Sequence, residues 1–259
     1  MTATGQSQRV LLVGTGGIGA AVAERLAADG RKIFATYHSN AQTVEDLIGQ
    51  LGAEVVVGSA ALDVTDQDAI QRVCGAGGLA DEALGGPVDA VVVTTGYPHA
   101  LSLLVKQDPA EIRCILTTEL LGPILVARAV LPTMNEQGFG RLVFIGSDSG
   151  KAGTLGDATS SAARAGLIGL VKSLARETSR ADVTVNLVSP GPTKSPLLDS
   201  MLADQDTLTG KVMQGTVNAI LKRRVGQPTE IAEAVAYFVG SNSGFTTGQV
   251  LSVSGGLTL

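Results

Sequence analysis

The sequence has no tryptophan, and aromatic residues make up only 3% of its 259 residues, although 44% are hydrophobic. The core must therefore be built from Ala, Val, Leu and Ile, interspersed with 33 glycines. Small apolar side chains of this kind suit helices that pack closely on a sheet. An α/β chain of this length commonly forms one domain, so we expect a single domain over residues 1–259.

Basic residues are few and scattered. Lys and Arg total 19 against 24 Asp and Glu, which gives a net charge of -5 and a pI near 5.1. Proteins that bind nucleic acid or anionic membranes carry clustered Lys and Arg, so we exclude both as partners. Ser, Asn, Thr and Gly interrupt even the uncharged segment 234–259, so it does not predict a membrane span. The partner that remains is a small molecule.

Cysteine is also scarce. Cys74 and Cys114 lie far apart in the sequence and fit no metal-ligand spacing, so we interpret them as reduced thiols and expect no metal site. The N-terminal stretch has no basic segment followed by an apolar one, which is the pattern of a secretory signal. We therefore expect a cytoplasmic protein.

A glycine-rich turn, GTGGIG, follows the first apolar run, Val10–Val13, and precedes apolar residues at helical spacing. Glycines let the backbone approach a pyrophosphate closely, and the N-terminus of the next helix supplies free N–H groups. The pattern predicts a nucleotide site, with a tight structural turn as the alternative. The residues predicted to form the site are Gly14, Thr15, Gly17, Ile18 and Gly19.

The second predicted strand, Lys32–Thr36, ends at Tyr37-His38-Ser39-Asn40. An NAD-selective protein usually carries an acidic residue here for the ribose hydroxyls, and none is present. No carboxylate would repel a 2′-phosphate, and His38 is able to donate a hydrogen bond to one. We therefore expect NADP(H) to be preferred over NAD(H), with His38 as a solvated loop residue the alternative.

Apolar runs without alternation recur along the chain and predict strands buried on both faces of a parallel sheet. They are Val55–Val57, Val88–Val93, Leu142–Ile145, Val183–Val188 and Val250–Val253. Open α/β sheets bind ligands at the carboxyl ends of their strands. Asp63 and Val64, which follow the third strand, would then lie over an adenine ring. A cap on the next helix is the alternative for Asp63.

Three side chains around the fifth predicted strand form the centre of the predicted site. Ser147 follows that strand and is expected at the ligand-binding edge of the sheet. On the next helix, Ser160 and Arg164 are four residues apart and share one face, which can point back at Ser147.

Other polar residues are predicted near the same edge. Tyr97 and His99 lie on the loop after the fourth strand, and Glu119 lies within a long helix predicted from Pro109 to about Gln137. The proline-rich loop after the sixth strand leads into helical pieces, which we predict to form a small mobile lid at about 192–221.

At this point the sequence closely resembles the short-chain dehydrogenase/reductase family over essentially its whole length. The segments that carry the likeness are Gly17-Ile18-Gly19, Leu62-Asp63-Val64, Gly140-Arg141-Leu142-Val143, Ala165-Gly166-Leu167-Ile168-Gly169-Leu170, Val185-Asn186, Ser189-Pro190-Gly191, RRVGQPTEIAEAVAYFVGS and TGQVLSVSGG. The resemblance implies a Rossmann-type, three-layer α/β sandwich around a doubly wound, mostly parallel sheet of seven strands. It also implies a homodimer or homotetramer and further cofactor contacts, at Thr95, Gly96, Arg164, Pro190, Gly191 and Thr193.

The catalytic positions depart from the family pattern of Asn, Ser, Tyr and Lys. In the family, tyrosine moves the proton, lysine holds the ribose and serine orients the substrate oxygen. The resemblance places the serine at Ser147, but Ser160 at the tyrosine, Arg164 at the lysine and Glu119 at the asparagine. A serine hydroxyl is a far weaker acid than a phenol, and an arginine stays charged and relays no proton. We expect Glu119 and Arg164 to form a partly buried ion pair.

Three functions remain open, of which we favour the first. It is an NADP(H)-dependent ketoreductase of a small apolar or polyketide-like carbonyl, with Ser147 and Arg164 acting on substrate and cofactor. Its replacement acid is Tyr97 or His99, although a passive place in the pocket wall is the favoured interpretation of each residue.

The second function is non-redox chemistry without a cofactor, as in a cyclase, isomerase or lyase. Arg164 would stabilise an oxyanion, and Glu119 or His99 would act as base. The third is an inactive partner subunit that assembles through the helices predicted at Pro109–Gln137 and Ala158–Arg180.

Overall fold

The computed structural model describes residues 8–259, so residues 1–7 of the predicted domain lie outside the described part. One sheet of seven strands runs in the order β3-β2-β1-β4-β5-β6-β7. The strands are β1 (Arg9–Val13), β2 (Lys32–Tyr37), β3 (Val56–Ala61), β4 (Ala90–Val93), β5 (Phe139–Ile145), β6 (Asp182–Pro190) and β7 (Val250–Val253). Each neighbouring pair is parallel, so the expectation of a mostly parallel sheet is met by an all-parallel one.

Helices cover both faces of this sheet. They are α1 (Gly17–Ala28), α2 (Gln42–Leu51), α3 (Gln67–Cys74), α4 (Leu79–Leu84), α5 (Pro109–Leu116), α6 (Gly122–Gln137), α7 (Ser149–Ala152), α8 (Ala158–Glu177), α9 (Pro196–Leu202), α10 (Leu208–Ala219) and α11 (Pro228–Val239). Helices α1, α2 and α11 pack on one face, and α3, α4, α6 and α8 pack on the other. The result is the three-layer, doubly wound α/β sandwich that the sequence predicts.

Strands β1 and β4 are apolar beyond Arg9 because both of their faces are buried. In β1, Val10 and Leu12 point to the layer of α1 and α11, whereas Leu11 and Val13 point to the opposite layer. Strand order reverses beside β1, which lies between β2 and β4. In an open sheet, that reversal leaves a crevice at the carboxyl ends of the strands.

The long helix predicted over 109–137 is present with one irregularity. Its first turn is capped by the Asp108 side chain, which accepts from the backbone N–H of Ala110, and it ends at Gly138 with φ 74°. Between α5 and α6 the chain forms a π-helical turn at Thr117–Leu121. By length and composition this helix would be able to cross a membrane, but here Ile115, Val126 and Met134 are buried against the core.

Several predicted bounds change in the structure: β4 begins at Ala90 rather than Val88, β5 begins at Phe139 rather than Leu142, and β6 ends at Pro190 rather than Val188. Strand β3 extends to Ala61, four residues past the predicted end at Val57, and α8 ends at Glu177 rather than Arg180. The segment predicted as a lid contains α9 and α10, as its helical pattern indicates.

Arg141 is a fully buried cation that joins three elements. Its guanidinium donates to the carbonyl oxygens of Gly140 (3.0 Å), Asp182 (2.8 Å) and Gly240 (3.2 Å), and also pairs with the Asp182 carboxylate. It also lies over the Phe139 ring at 4.4 Å. The beginning of β5 is thereby tied to the beginning of β6 and the end of α11.

We predict that Arg141→Ala lowers the free energy of unfolding by at least about 3 kcal/mol, because three carbonyls lose a charged donor in a buried place. Arg141→Lys keeps the charge but not the planar fork, so its loss should be smaller yet measurable. Urea unfolding of the three proteins measures this. An alanine variant as stable as the parent would contradict the structural role.

Candidate active site

A groove of about 760 Å³ lies at the carboxyl ends of β1, β2 and β4. Seven of the residues predicted to bind a dinucleotide line it. They are Gly14, Thr15, His38, Asp63, Val64, Thr95 and Gly96. The crevice at the strand reversal is therefore the place where the structure gathers half of the fourteen predicted cofactor residues.

The glycine turn after β1 leaves an open backbone at one wall of this groove. Gly14 has φ 96°, and a Cβ there would lie 2.7 Å from Thr94 Oγ1, so only glycine fits. A Cβ on Gly16 or Gly17 would meet no atom within 4 Å. Helix α1 begins here without a capping side chain or an acidic residue in its first turn. Free N–H groups at an exposed helix N-terminus suit an anionic pyrophosphate.

Two residues of the glycine motif have packing positions instead. Gly19 is buried, and a Cβ there would lie 2.2 Å from the carbonyl oxygen of Gly14, so this glycine lets α1 approach β1. Ile18 packs against the hydrophobic core on the α1 side of the sheet. Neither lines the groove, so their predicted part in binding is indirect.

The groove's far end carries His38 and Asp63. The His38 side chain is 73% exposed, and its Nε2 lies 3.8 Å from the Asp63 carboxylate. Asp63 accepts from the backbone N–H and hydroxyl of Thr65, and the first of these bonds contributes most to lowering its pKa. The N-cap of α3 is Asp66, so the alternative role of Asp63 as that cap is wrong.

A second cavity, of about 440 Å³, adjoins the groove. The two share Thr94, Gly96, Tyr97 and Pro98 in their walls. All six predicted catalytic residues line this cavity: Tyr97, His99, Glu119, Ser147, Ser160 and Arg164. Pro190 and Gly191 line it as well, whereas Thr193 lies outside both linings and donates to the carbonyl oxygen of Gly191.

Glu119 is 2% exposed and accepts three hydrogen bonds. Arg164 Nη2 and the backbone N–H of Tyr97 donate to its Oε1 at 2.8 and 3.0 Å, and Ser160 Oγ donates to its Oε2 at 2.6 Å. The predicted ion pair is therefore present and is buried. The hydroxyl proton of Ser160 is held by a carboxylate.

The π-helical turn brings Glu119 into this position. π-Turns inside helices commonly occur at functional sites because the extra residue redirects one side chain. Arg164 reaches the same place from α8, and its Nη1 also donates to the carbonyl oxygens of Thr95 and Ile145. The guanidinium thus joins α8 to the ends of β4 and β5.

Ser147 and its neighbour Asp148 begin the turn after β5. Ser147 Oγ accepts from the hydroxyl of Ser149 at 3.0 Å. The Asp148 carboxylate is buried and accepts from the hydroxyls of Ser252 and Thr258. This clasp holds the segment after β7 against the serine's turn.

His99 and Asp157 face each other in the cavity wall. His99 Nε2 lies 2.8 Å from Asp157 Oδ1, and Nδ1 lies 2.8 Å from the carbonyl oxygen of Tyr97. The hydrogen bond to Asp157 is the main cause that raises the pKa of His99 to about 9, and burial opposes it. At neutral pH the ring is therefore an imidazolium.

Sequence reasoning missed several residues of this cavity. Asp157 precedes α8 and has the appearance of an ordinary helix cap, but its side chain makes no capping bond. Only the tertiary structure shows that the Asp157 side chain does not cap α8. The apolar wall consists of side chains from the segment 197–213 and from beyond β7: Leu197, Met201, Met213 and Leu257. The first part of this wall lies in the segment predicted as a lid, at about 192–221.

Among residues 8–259, no group of three or more His, Cys, Asp and Glu is placed to hold a metal ion. Cys74 and Cys114 are both free thiols.

Comparison with known proteins connects this site to a family. A protein-family model described as enoyl-(acyl carrier protein) reductase matches residues 13–258. The 3-oxoacyl-[acyl-carrier-protein] reductase MabA of Mycobacterium tuberculosis is 34% identical over 252 residues, which cover 97% of this chain and 93% of MabA. FabG of Escherichia coli, named as the same reductase, is 35% identical over 243 residues, 93% of each chain. The chain belongs to the short-chain dehydrogenase/reductase family.

The fold of this short-chain dehydrogenase/reductase also matches a solved structure. ElxO with NADP bound superposes with a TM-score of 0.84 over 97% of this chain and 99% of ElxO, at 21% sequence identity. At that identity the likeness concerns the fold, and it agrees with the seven-stranded parallel sheet.

We predict that the buried pair Glu119–Arg164 stabilises this short-chain dehydrogenase/reductase cooperatively. Glu119→Gln or Arg164→Met alone should each lower the free energy of unfolding by about 3–5 kcal/mol, because one buried charge loses its partner. The double variant should lose clearly less than the sum. Urea unfolding of the four proteins gives the coupling energy. Strict additivity would show that the two charges do not interact.

Proposed function

We propose that this short-chain dehydrogenase/reductase is an NADP(H)-dependent ketoreductase that works without the family's tyrosine acid. The observation that carries the proposal is the continuity of the open glycine-turn groove with the polar cavity. A dinucleotide in the groove would have one end at the cavity that holds all the predicted catalytic side chains. Relatives at 34–35% identity are named reductases of a 3-oxoacyl group, and ElxO was solved with NADP.

The residues present fit such a cofactor. Gly16 and Gly17 leave the backbone bare where a pyrophosphate would bind, and α1 offers its N-terminal N–H groups. Asp63 and Val64 line the groove at the adenine end. When bound, the reduced cofactor supplies a hydride. The chain's own residues then have to hold the ketone and provide a proton.

The choice of NADP(H) over NAD(H) rests on the end of β2. No carboxylate follows Tyr37, and His38 is exposed beside the groove, where a 2′-phosphate would meet a hydrogen-bond donor instead of a negative charge. Asp63 lies close to His38 through its Oδ2, whereas its Oδ1 accepts from Thr65, and the His38 side chain remains largely exposed to solvent.

The substrate we propose is a small apolar or polyketide-like carbonyl compound. Leu197, Met201, Met213 and Leu257 make one side of the cavity apolar, and the buried charges on the other side are already paired. An apolar ketone therefore loses little solvation there. Ser147 is the hydroxyl we assign to the substrate oxygen, since its Oγ lines the cavity and is not committed to a carboxylate.

Non-redox chemistry with Glu119 as base has less support. That carboxylate accepts three hydrogen bonds, so taking a proton would break an arginine pair inside the protein. Both Nη atoms of Arg164 donate to protein partners, two of which are backbone carbonyls. Both residues are proposed to hold the site together.

A homodimer or homotetramer is part of the proposal. The long helix of α5 and α6 exposes Leu116 and Leu121 at 37% and 43%, which suits contact with a second copy. The cytoplasm is the proposed location, in keeping with two unpaired cysteines.

We predict that the protein, freed of copurified nucleotide, binds NADPH in the micromolar range and NADH more weakly. His38→Asp should weaken NADPH binding at least about tenfold by placing a carboxylate beside the 2′-phosphate. NADH binding should hold or improve. Isothermal titration with both cofactors measures this, and His38→Ala, which removes the donor without adding a charge, separates loss of the donor from gain of the charge. No binding of either cofactor would overturn the proposed function.

We predict that Ser160→Ala keeps most of the turnover of a ketone substrate. If Ser160 were the acid, its loss would cost roughly 10²–10⁴-fold in kcat. The expected loss is much smaller, because the hydroxyl only donates to Glu119. Steady-state rates with NADPH decide this, and a loss within the larger range would make Ser160 the proton donor.

A further inference from the structure

We infer that His99 is the proton donor of this site and that Asp157 is the residue that positions and charges it. The inference rests on the proposed ketone reduction, which needs a proton at the carbonyl oxygen. It names the source of that proton. Neither the relatives nor the fold name one, because Ser160 replaces the family's tyrosine and its hydroxyl donates to Glu119.

Position is the first argument. The His99 side chain is 9% exposed and lines the same cavity as Ser147. Other titratable residues in that lining are Tyr97, Asp148, Asp157, Glu119 and Arg164. Glu119 is paired with Arg164, and Asp148 accepts two hydroxyls. His99 is therefore the one cation of this lining that is able to release a proton, since an arginine stays charged.

Asp157 supports the second argument. It occupies the N-cap position of the 20-residue helix α8, where an aspartate usually accepts a hydrogen bond from the helix backbone. Here the side chain makes no such bond and instead contacts His99 Nε2 at 2.8 Å. The helix N-terminus still favours its negative charge. The Asp157 side chain therefore binds His99 in place of the helix backbone that it would usually cap.

The loop that carries His99 is held in place on several sides. The backbone N–H of Leu101 donates to Thr209 Oγ1 in α10, and that of Ser102 donates to the carbonyl oxygen of Gly156. Thr159 in α8 donates to Gln107 at the end of the loop. The loop that carries the imidazole is thus fixed relative to both α8 and α10.

Charges from two packed elements keep the ring protonated. Asp157, before α8, supplies the main effect, and Glu119, in the π-helical turn, adds a smaller attraction. The carbonyl oxygen of Tyr97, in the histidine's own loop, accepts from Nδ1. The resulting pKa of about 9 lies above neutrality, so the acid form dominates in the cell.

Proton transfer has a defined route. Asp157 retains Nε2–H, while the substrate oxygen replaces the Tyr97 carbonyl as acceptor of Nδ1–H. The carbonyl carbon takes the hydride of the reduced cofactor, and the π electron pair moves to oxygen. Oxygen takes the Nδ1 proton, whose bonding pair stays on the ring. The products are an alcohol, oxidised cofactor and neutral imidazole, which water then reprotonates.

The test compares two ketones, acetophenone and 2′-hydroxyacetophenone, whose phenol beside the carbonyl supplies an internal proton. His99→Gln should lower kcat for acetophenone by roughly 10²–10⁴-fold and spare much of the rate with the hydroxylated ketone. A histidine that only held the loop would affect both substrates equally. Tyr97→Phe tests the other candidate acid of this lining: a loss with acetophenone that occurs in Tyr97→Phe but not in His99→Gln would overturn the role of His99.

Asp157→Asn gives an independent readout that does not require the histidine variant to fold. In the wild type, kcat/KM for acetophenone should fall as pH rises through about 9, where His99 loses its proton. Without the carboxylate, that fall should move towards the ordinary histidine range near 6.5. NMR titration of the His99 ring should show the same displacement.

The outcomes separate this inference from the proposed function. If His99→Gln binds NADPH and reduces the ketone at the wild-type rate, only the role of His99 is overturned. An alkaline limb that stays in place in Asp157→Asn would overturn the role of Asp157. Absence of turnover with every ketone by the wild type, despite bound NADPH, would overturn both the ketoreductase and its acid.

Discussion

The structure around the cavity depends on one buried carboxylate. Glu119 cannot remain charged in the interior without partners, because an unpaired buried charge is strongly unfavourable. It accepts from Arg164, Ser160 and the backbone of Tyr97, which belong to α8 and the loop after β4. Through Arg164 the same network reaches the carbonyl oxygen at the end of β5. Four elements thus meet at one charge.

That network also limits what the site can do chemically. Ser160 and Arg164 occupy the positions whose side chains face substrate and ribose in the family. Here they donate to the Glu119 carboxylate and to backbone carbonyls. A second charged pair, His99 with Asp157, lies in the same cavity wall. The Glu119–Arg164 pair joins α8 to the ends of β4 and β5, whereas the His99–Asp157 pair joins the loop after β4 to the residue before α8.

A third carboxylate, Asp148, has a different set of partners. It accepts only from hydroxyls, those of Ser252 and Thr258, while Lys151 donates to Ser252 at 2.7 Å. The clasp holds the segment that carries Leu257 across the cavity, next to Ser147. The shape that the cavity offers a substrate and the orientation of Ser147 therefore depend on residues near the C-terminal end of the sequence.

Much of this protein is determined locally. Apolar runs without alternation specify buried parallel strands, glycines specify the turn after β1, and helical spacing places Ser160 and Arg164 on one face. The pairing of Glu119 with Arg164 is predicted from the family likeness. His99 and Asp157, by contrast, are 58 residues apart, and Asp148 and Thr258 are 110 apart. No local period encodes such contacts. They exist because the strand order brings the ends of β4, β5 and β7 to one edge, where tertiary packing alone decides which polar groups meet.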